Sequence, residues 1–236
     1  MRRFWETVSI VAIDNGGGHG VALDSRPIKT PARHVLQVPT AALAAAIADE
    51  WRSQGETVAP ATMPQMTFAC TAIDRVAPQR EAVIDEIAGF AGTDLLCYRA
   101  DEPPVLVERQ TAHWQPVLDW AAVRFDATLA ITAGVVPVRQ SAAALAAVRH
   151  AVAANDDMCL AALHAVTSVT GSVVLGLALV EGPLDAAQVS AASLLDERFQ
   201  AERWGEDDEA TARRAALEAE IANVARFLIL LKTPKT

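Results

Sequence analysis

Carboxylates crowd the segment from Leu194 to Ala210, LLDERFQAERWGEDDEA, which sets seven acids against two arginines with Phe199 and Trp204 among them. Glu197 and Glu202 could pair for general acid and base work, but no histidine, cysteine or basic cluster accompanies them. Cys97, in Asp94-Leu95-Leu96-Cys97-Tyr98-Arg99, could be a nucleophile, although no histidine lies near it in sequence. Arg99 could bind an anion or pin a loop. His113 could act as a base oriented by Asp119, yet a spacing of six positions puts the two on different helical faces. His164, on an apolar stretch, reads as a satisfied core histidine. Ser172 in TGSVV lacks the frame of a hydrolase elbow and reads as a packing serine. Gly16-Gly17-Gly18-His19-Gly20 is tempting as a phosphate cradle, but VALDSRP follows it as a strand, so a hairpin turn is expected. Cys70, Cys97 and Cys159 form no CxxC pair and no Cys/His ligand spacing. No HExxH, DxD or paired-histidine motif occurs. The expectation is no catalytic residue, no metal and no cofactor.

The elements that carry these side chains follow from patterning. Asp185 and Gln188 in PLDAAQ form a capping-box pattern, so a helix should start near Ala186 and continue to Arg203. Ala192, Leu195 and Phe199 make its buried stripe, while Glu197 and Trp204 share another face, with Gln200 and Ala201 between them. Gly205 ends it. Glu206 to Glu209 then suit the N-terminus of a last helix, Asp207 to Leu231, striped by Leu217, Ile221, Val224, Leu228 and Leu231. Helical periodicity also marks Pro64–Ile73, Pro78–Phe90, Pro104–Phe125, Ala142–Ala153, Asp156–Val169 and Ser172–Val180. Leu95–Arg99 and Ala127–Thr132 could form a short strand pair.

The first forty residues alternate instead. Thr7–Ile13 and Gly20–Leu23 flank a turn at Asp14-Asn15-Gly16 and suggest a hairpin, which Pro27, Pro31 and Pro39 keep short. Thr40 caps an alanine-rich helix running to about Gln54, with Gly55 after it. Trp51, in register with Leu43 and Ile47, should pack that helix onto the sheet or the helical region. Strand signals largely cease near Pro60. The expected fold is therefore α+β: a small β-rich unit with one helix over 1–60, followed by a larger orthogonal helical bundle over 61–236.

The chain has 236 residues, 52% of them hydrophobic and 21% charged, which supplies a real core and argues against disorder. A net charge of −9 disfavours nucleic acid and anionic membrane surfaces. The longest apolar run, Val173–Val180, falls far short of the roughly 20 residues that span a bilayer. Glu6 and Asp14 interrupt the N-terminal stretch, so no signal peptide is expected. Separate thiols fit a reducing compartment, with the cytoplasm as the default.

The acidic segment also resembles something specific. DE–Q–E–WGED–EA is similar to the C-terminal signature of the assembly chaperones for the catalytic sector of F-type ATP synthase, in the family that handles the alpha subunit and is called assembly factor 2 in mitochondria. The likeness recurs in RRFWETV, LDSRPIKTPA (Leu23–Ala32), LAAAIADEWRSQGETVAP (Leu43–Pro60) and MPQMTFACTAIDRV (Met63–Val76). It continues through TDLLCYRA (Thr93–Ala100), RQTAHWQPVLDWA (Arg109–Ala121) and TGSVVLGLAL (Thr170–Leu179). Ser25 stands where the family commonly has glycine, and Gln65-Met66 where Leu-Thr is common.

The resemblance implies a non-enzymatic chaperone that binds the unassembled alpha subunit and prevents its aggregation until the beta subunit replaces it. By the same resemblance, Glu197 carries the partner contact, then Asp196, Glu202 and Trp204. Beside that stands a plainer alternative, in which Trp204 plugs the corner between helices and Glu197 forms an internal bridge near Arg198 or to Arg99. Two other classes remain open on sequence alone. One is a small cytosolic hydrolase or transferase using Cys97 or His113. The other is a structural subunit with a large apolar face.

Overall fold

The computed structural model describes residues 2–13, 17–134 and 136–232. They fall into two compact units: Met1–Arg80 with Asp157–Ala162 and Arg226–Thr236, and Glu81–Asp156 with Leu163–Ala225. These units are drawn by packing, whereas the expected division at 60 follows the change in secondary-structure type.

In the first unit, β1 (Val8–Ile13) and β2 (Gly18–Leu23) pair antiparallel from Val8↔Leu23 to Ile13↔Gly18. The turn expected at Asp14–Gly16 lies outside the described residues. β3 (Arg26–Pro27) completes the sheet in the order β1-β2-β3. Asp24 and Ser25 join β2 to β3 with φ of 46° and 66°, the positive values a two-residue hairpin loop demands. Asp24 fixes that loop by accepting the N–H groups of Thr7 at 2.9 Å and Glu6 at 3.0 Å.

Thr40 caps α1 (Ala41–Arg52), its hydroxyl accepting the Leu43 N–H at 3.1 Å. Leu43 and Ile47 are fully enclosed and Trp51 is buried, its ring edge-on to Trp5 at 5.0 Å. The expected scaffold role of Trp51 holds. α2 (Pro64–Thr71) runs into a π-helical turn over Ala72–Val76, and α3 (Arg80–Gly89) follows.

Among its described residues, the regular structure of the second unit is helical apart from one short strand pair. β4 (Tyr98–Arg99) lies parallel to β5 (Thr132–Ala133), so the pair exists but is shorter than expected and sits nearer Ala133. α4 (Pro104–Phe125) and α5 (Ala142–Ala153) match their expected spans. α6 (Asp157–Thr170), which belongs to this unit from Leu163 onward, leads to α7 (Val173–Glu181), whose residues from Val173 to Val180 are all buried. A helix apolar all round belongs in the middle of a bundle. The three-stranded antiparallel sheet with α1, followed by a larger helical region, is the α+β class that the patterning indicates.

One expectation needs correction. The helix from Ala186 is two helices, α8 (Ala186–Ser193) and α9 (Leu195–Trp204), broken at Leu194 with φ −100° and ψ 15°. The capping box of Asp185 and Gln188 is formed as expected. The break frees the last carbonyls of α8, and the Trp114 indole N–H takes that of Ala192 at 2.9 Å. It also lets Leu194, Leu195 and Phe199 all reach the core. α10 (Asp208–Lys232) is the last helix.

Gly176 is required by close helix packing. A Cβ there would stand 2.7 Å from Thr167 Oγ1 and 2.8 Å from Leu163 Cδ1, both fully buried on α6. Alanine would gain about 1 kcal/mol in helix propensity but force an overpacked core costing about 1–3 kcal/mol. Gly176→Ala should therefore lower the melting temperature; a variant that melts higher than the parent would show that α6 can give way.

Candidate partner-binding surface

α9 and the start of α10 place the acidic segment on the surface of the second unit. Gly205, with φ 96°, ends α9 where an L side chain would be strained. Asp207 then accepts the Ala210 N–H at 2.9 Å, and Glu206 pairs with Arg214 and accepts from the Thr211 hydroxyl. The Thr211 hydroxyl first, and Arg214 with it, hold the Glu206 carboxyl below its ordinary range. Asp208 and Glu209 lie in the first turn of α10, where the macrodipole favours them. The four acids after Gly205 are thus explained by the start of a helix.

The other acids divide into two groups. Asp196 and Glu202 are engaged by α4: Asp196 accepts from Gln110 Nε2 at 2.8 Å, and Glu202 pairs with Arg109 at 2.6 Å. Gln110 is buried, and its Oε1 accepts the Ala100 N–H at 2.8 Å, so Asp196 completes a structural amide bridge. Glu197 turns toward α10, bonding Arg213 at 2.8 Å. The internal bridge goes neither to Arg99 nor to the vicinity of Arg198, which pairs instead with Glu218.

Trp204 is 79% exposed and does not plug the corner between α9 and α10. It shares with Glu197, Gln200, Ala201 and Arg213 a cleft of about 220 Å³. Glu197 and Trp204 therefore meet in one place, and Asp196 and Glu202 do not join them. Arg213 is the cleft residue that sequence reasoning missed. It lies sixteen positions from Glu197, beyond any helical spacing, so no local signal points to it.

The residues with enzymatic potential are disposed differently. Cys97 is fully enclosed, and burial first, with the Asp94 charge, pushes its thiol up to about 12. At neutral pH it is protonated and out of reach, which removes the nucleophile from the hydrolase reading. Arg99 pins the loop, donating Nε–H to Leu96 O at 2.8 Å and lying 5.4 Å from the Trp114 ring centre. His113 is exposed, and Asp119 accepts from Gln115, not from His113. His164 is partly exposed and contacts Glu86 at 3.0 Å, a surface pairing in place of the expected core one. Ser172 caps α7 through the Leu175 N–H and donates its hydroxyl to Asp94. Its position three residues before Leu175, at the head of an apolar run, is a cap signal that could have identified it. Among the described residues no group of three or more His, Cys, Asp or Glu side chains is placed to hold a metal ion. No helix among them is long and apolar enough to cross a membrane.

The cleft thus sets an exposed tryptophan beside two acids, Glu197 and Asp207, and two arginines, Arg213 and Arg214, on a helical scaffold, and the class of protein that shares this scaffold is the chaperones. The family model described as ATP12 chaperone protein matches residues 2–122. Atp12 from Paracoccus denitrificans is 45% identical, with 98% of each chain covered and a TM-score of 0.92, and a single-substitution mutant of it matches equally. The Atu1473 protein of Agrobacterium tumefaciens is 41% identical, covering 98% of this chain and 86% of that one, with a TM-score of 0.92. Mitochondrial protein atp12 of Schizosaccharomyces pombe is 25% identical over 221 residues, 89% of this chain and 75% of that protein. The chain belongs to the ATP12 chaperone family, which serves the assembly of ATP synthase.

Proposed function

We propose that the chain captures the unassembled alpha subunit of the F-type ATP synthase catalytic sector and shields it until the beta subunit replaces it. The observation that carries this reading is the exposure of Trp204 beside Glu197, since aromatic anchors rimmed by polar groups often dominate interface energy. Glu197 and Trp204 form the contact centre, and Asp196 and Glu202 flank it from the α4 side. Mass action is enough: occupying an aggregation-prone surface reversibly lowers the free concentration of the aggregating species, with no hydrolysis by the chaperone. The chain acts without catalysis or cofactor in the bacterial cytoplasm, binds no nucleic acid and does not insert stably into a membrane.

Glu197→Gln tests the reading. Its partner Arg213 is largely exposed and Glu197 itself half-buried, so the fold should lose about 1 kcal/mol. Loss of a desolvated contact to a client cation would cost about 2–5 kcal/mol in binding, against about 1 at an interface rim. Pull-down of tagged alpha subunit, with and without the beta subunit, should show weakened capture by a chain that melts like the parent. If melting and capture fall together, Glu197 is a structural acid and this contact is wrong.

A further inference from the structure

The first unit contains a groove of about 690 Å³ that the reading above does not use. Three segments singled out in the sequence converge on it. Leu23–Ala32 supplies Lys29 to Pro31, Leu43–Pro60 supplies Trp51, Val58 and Pro60, and Met63–Val76 supplies the longest wall. In that wall Met63, Met66, Thr67, Cys70, Thr71 and Asp74 recur at steps of three and four, so one whole side of α2 and its π-turn faces the groove. Phe68, Ala69, Ala72 and Val76 occupy the other side and are buried in the core.

A surface helix ordinarily turns charge outward. Here the open side carries no charge from Met63 to Thr71. Trp51 and Met63 are buried at the base, while Met66, Cys70 and Val58 stay half-exposed above them. Burial, then the Asp74 charge, pushes the Cys70 thiol up to about 11. Thioether walls adapt to varied apolar shapes, as at other peptide-binding surfaces.

The rim supplies the sign of the partner. Lys29 and Arg75 are exposed at the edge of the groove. The carboxylate of Asp74 is engaged within its own unit, accepting from the Thr30 hydroxyl at 2.6 Å and the Ala32 N–H at 2.9 Å, and contacting His34 Nδ1 at 2.9 Å. The lining thus sets two cations against one carboxylate, and in a chain of net charge −9 that positive balance beside an apolar floor is complementary to an apolar ligand bearing an acid.

We propose that this groove is a second client-docking site, taking an apolar polypeptide segment that carries an acidic residue to meet Lys29 and Arg75. The identity of the client as the alpha subunit rests on the function proposed above; the chemistry of the groove does not. Glu197 and Trp204 belong to the second unit, so the two contacts can be broken separately.

A fluorescein-labelled, leucine-rich peptide bearing glutamate, its lysine counterpart and purified alpha subunit serve as probes. The glutamate peptide should bind the parent chain, be displaced by the alpha subunit, and bind at least about tenfold more weakly to Met66→Glu and Lys29→Glu. Thr67→Glu, at an exposed wall position, gives the same reading if Met66→Glu lowers the melting temperature. A photo-crosslinker at Thr67 should label an apolar, acid-bearing stretch of the alpha subunit. Equal binding of the two peptides, or unchanged binding to well-folded Met66→Glu and Thr67→Glu, overturns the proposal. So does a concentration-dependent dimer that Met66→Glu abolishes, which would make a second copy the occupant. Groove filling by anilinonaphthalene sulfonate that neither probe displaces would mean a small anionic amphiphile instead, and would overturn it as well. Loss of capture in Glu197→Gln but not in Met66→Glu sinks the groove and leaves the proposed function standing. The reverse pattern keeps the groove and sinks the Glu197 contact. If the parent ignores the alpha subunit yet binds the glutamate peptide, the groove stands and the client assignment falls.

Discussion

Replacing Trp114 by alanine should cost about 3–5 kcal/mol of stability, the range for removing a large buried aromatic. The side chain is 1% exposed, so the second unit would be left with a cavity at its centre. Two further losses add to the apolar one. The Ala192 carbonyl loses the indole N–H that satisfies it at the end of α8, and the buried Arg99 guanidinium loses the ring face beside it. Trp114→Phe separates these effects, because it keeps most of the ring and removes the N–H; about 1–2 kcal/mol is expected. Urea unfolding should show a lower midpoint with an unchanged slope for both variants. An alanine variant within 1 kcal/mol of the parent would mean that α8 does not depend on α4 for its ending.

Asp94 should make stability fall as pH rises through mild acidity. It is fully buried, and burial pushes its carboxyl up from an ordinary 3.8 to about 6, although Ser172 and the N–H groups of Leu96, Val174 and Val173 favour the ionised form. Between those values the folded chain keeps a proton that the unfolded chain has released. Stability attributable to Asp94 is therefore highest below the unfolded value, declines between about pH 4 and 6, and stays low above that. The difference corresponds to about 3 kcal/mol. Asp94→Asn removes this titration and leaves a pH-independent offset from the misplaced amide hydrogens. The stability of Asp94→Asn minus that of the parent should hence climb by about 3 kcal/mol over the window, with the contributions of every other acid cancelling. A flat difference would place Asp94 in the ordinary range. A falling one would mean that the hydrogen bonds outweigh burial.

What could be read ahead of the structure was what acts within a few residues. Thr40 reaches the Leu43 N–H, Asp185 and Gln188 satisfy each other, and Gly205 ends a helix, all within a span that a pattern can see. The break at Leu194 answers instead to Trp114, seventy-eight positions from the carbonyl it binds, and no window of the sequence contains both. The candidate site was legible to the same degree. Glu197 and Trp204 share a helical face by count alone, and they share the cleft. Asp196 and Glu202 look equivalent to them as letters, yet their partners, Gln110 and Arg109, come from α4. The open side of α2 was hidden for a different reason. A stripe of methionine, threonine and cysteine reads as core until the structure shows that, among the described residues of its own unit, nothing fills the space beside it.

The first unit is assembled from segments far apart in the sequence. Residues 157–162 and 226–232 pack with those before Glu81, the Thr40 hydroxyl donates to the Leu230 carbonyl across 190 positions, and Phe68 packs against Phe227 with ring centres 5.3 Å apart. During synthesis the sheet and α1 leave the ribosome well before Phe227 and Leu230, whose contacts help close their core. The unit that carries the apolar groove thus stays incomplete until those distant residues emerge. A chaperone built in this way has a nascent-chain problem of its own: until Phe227 arrives to cover Phe68, it exposes apolar surface that its own fold is meant to bury.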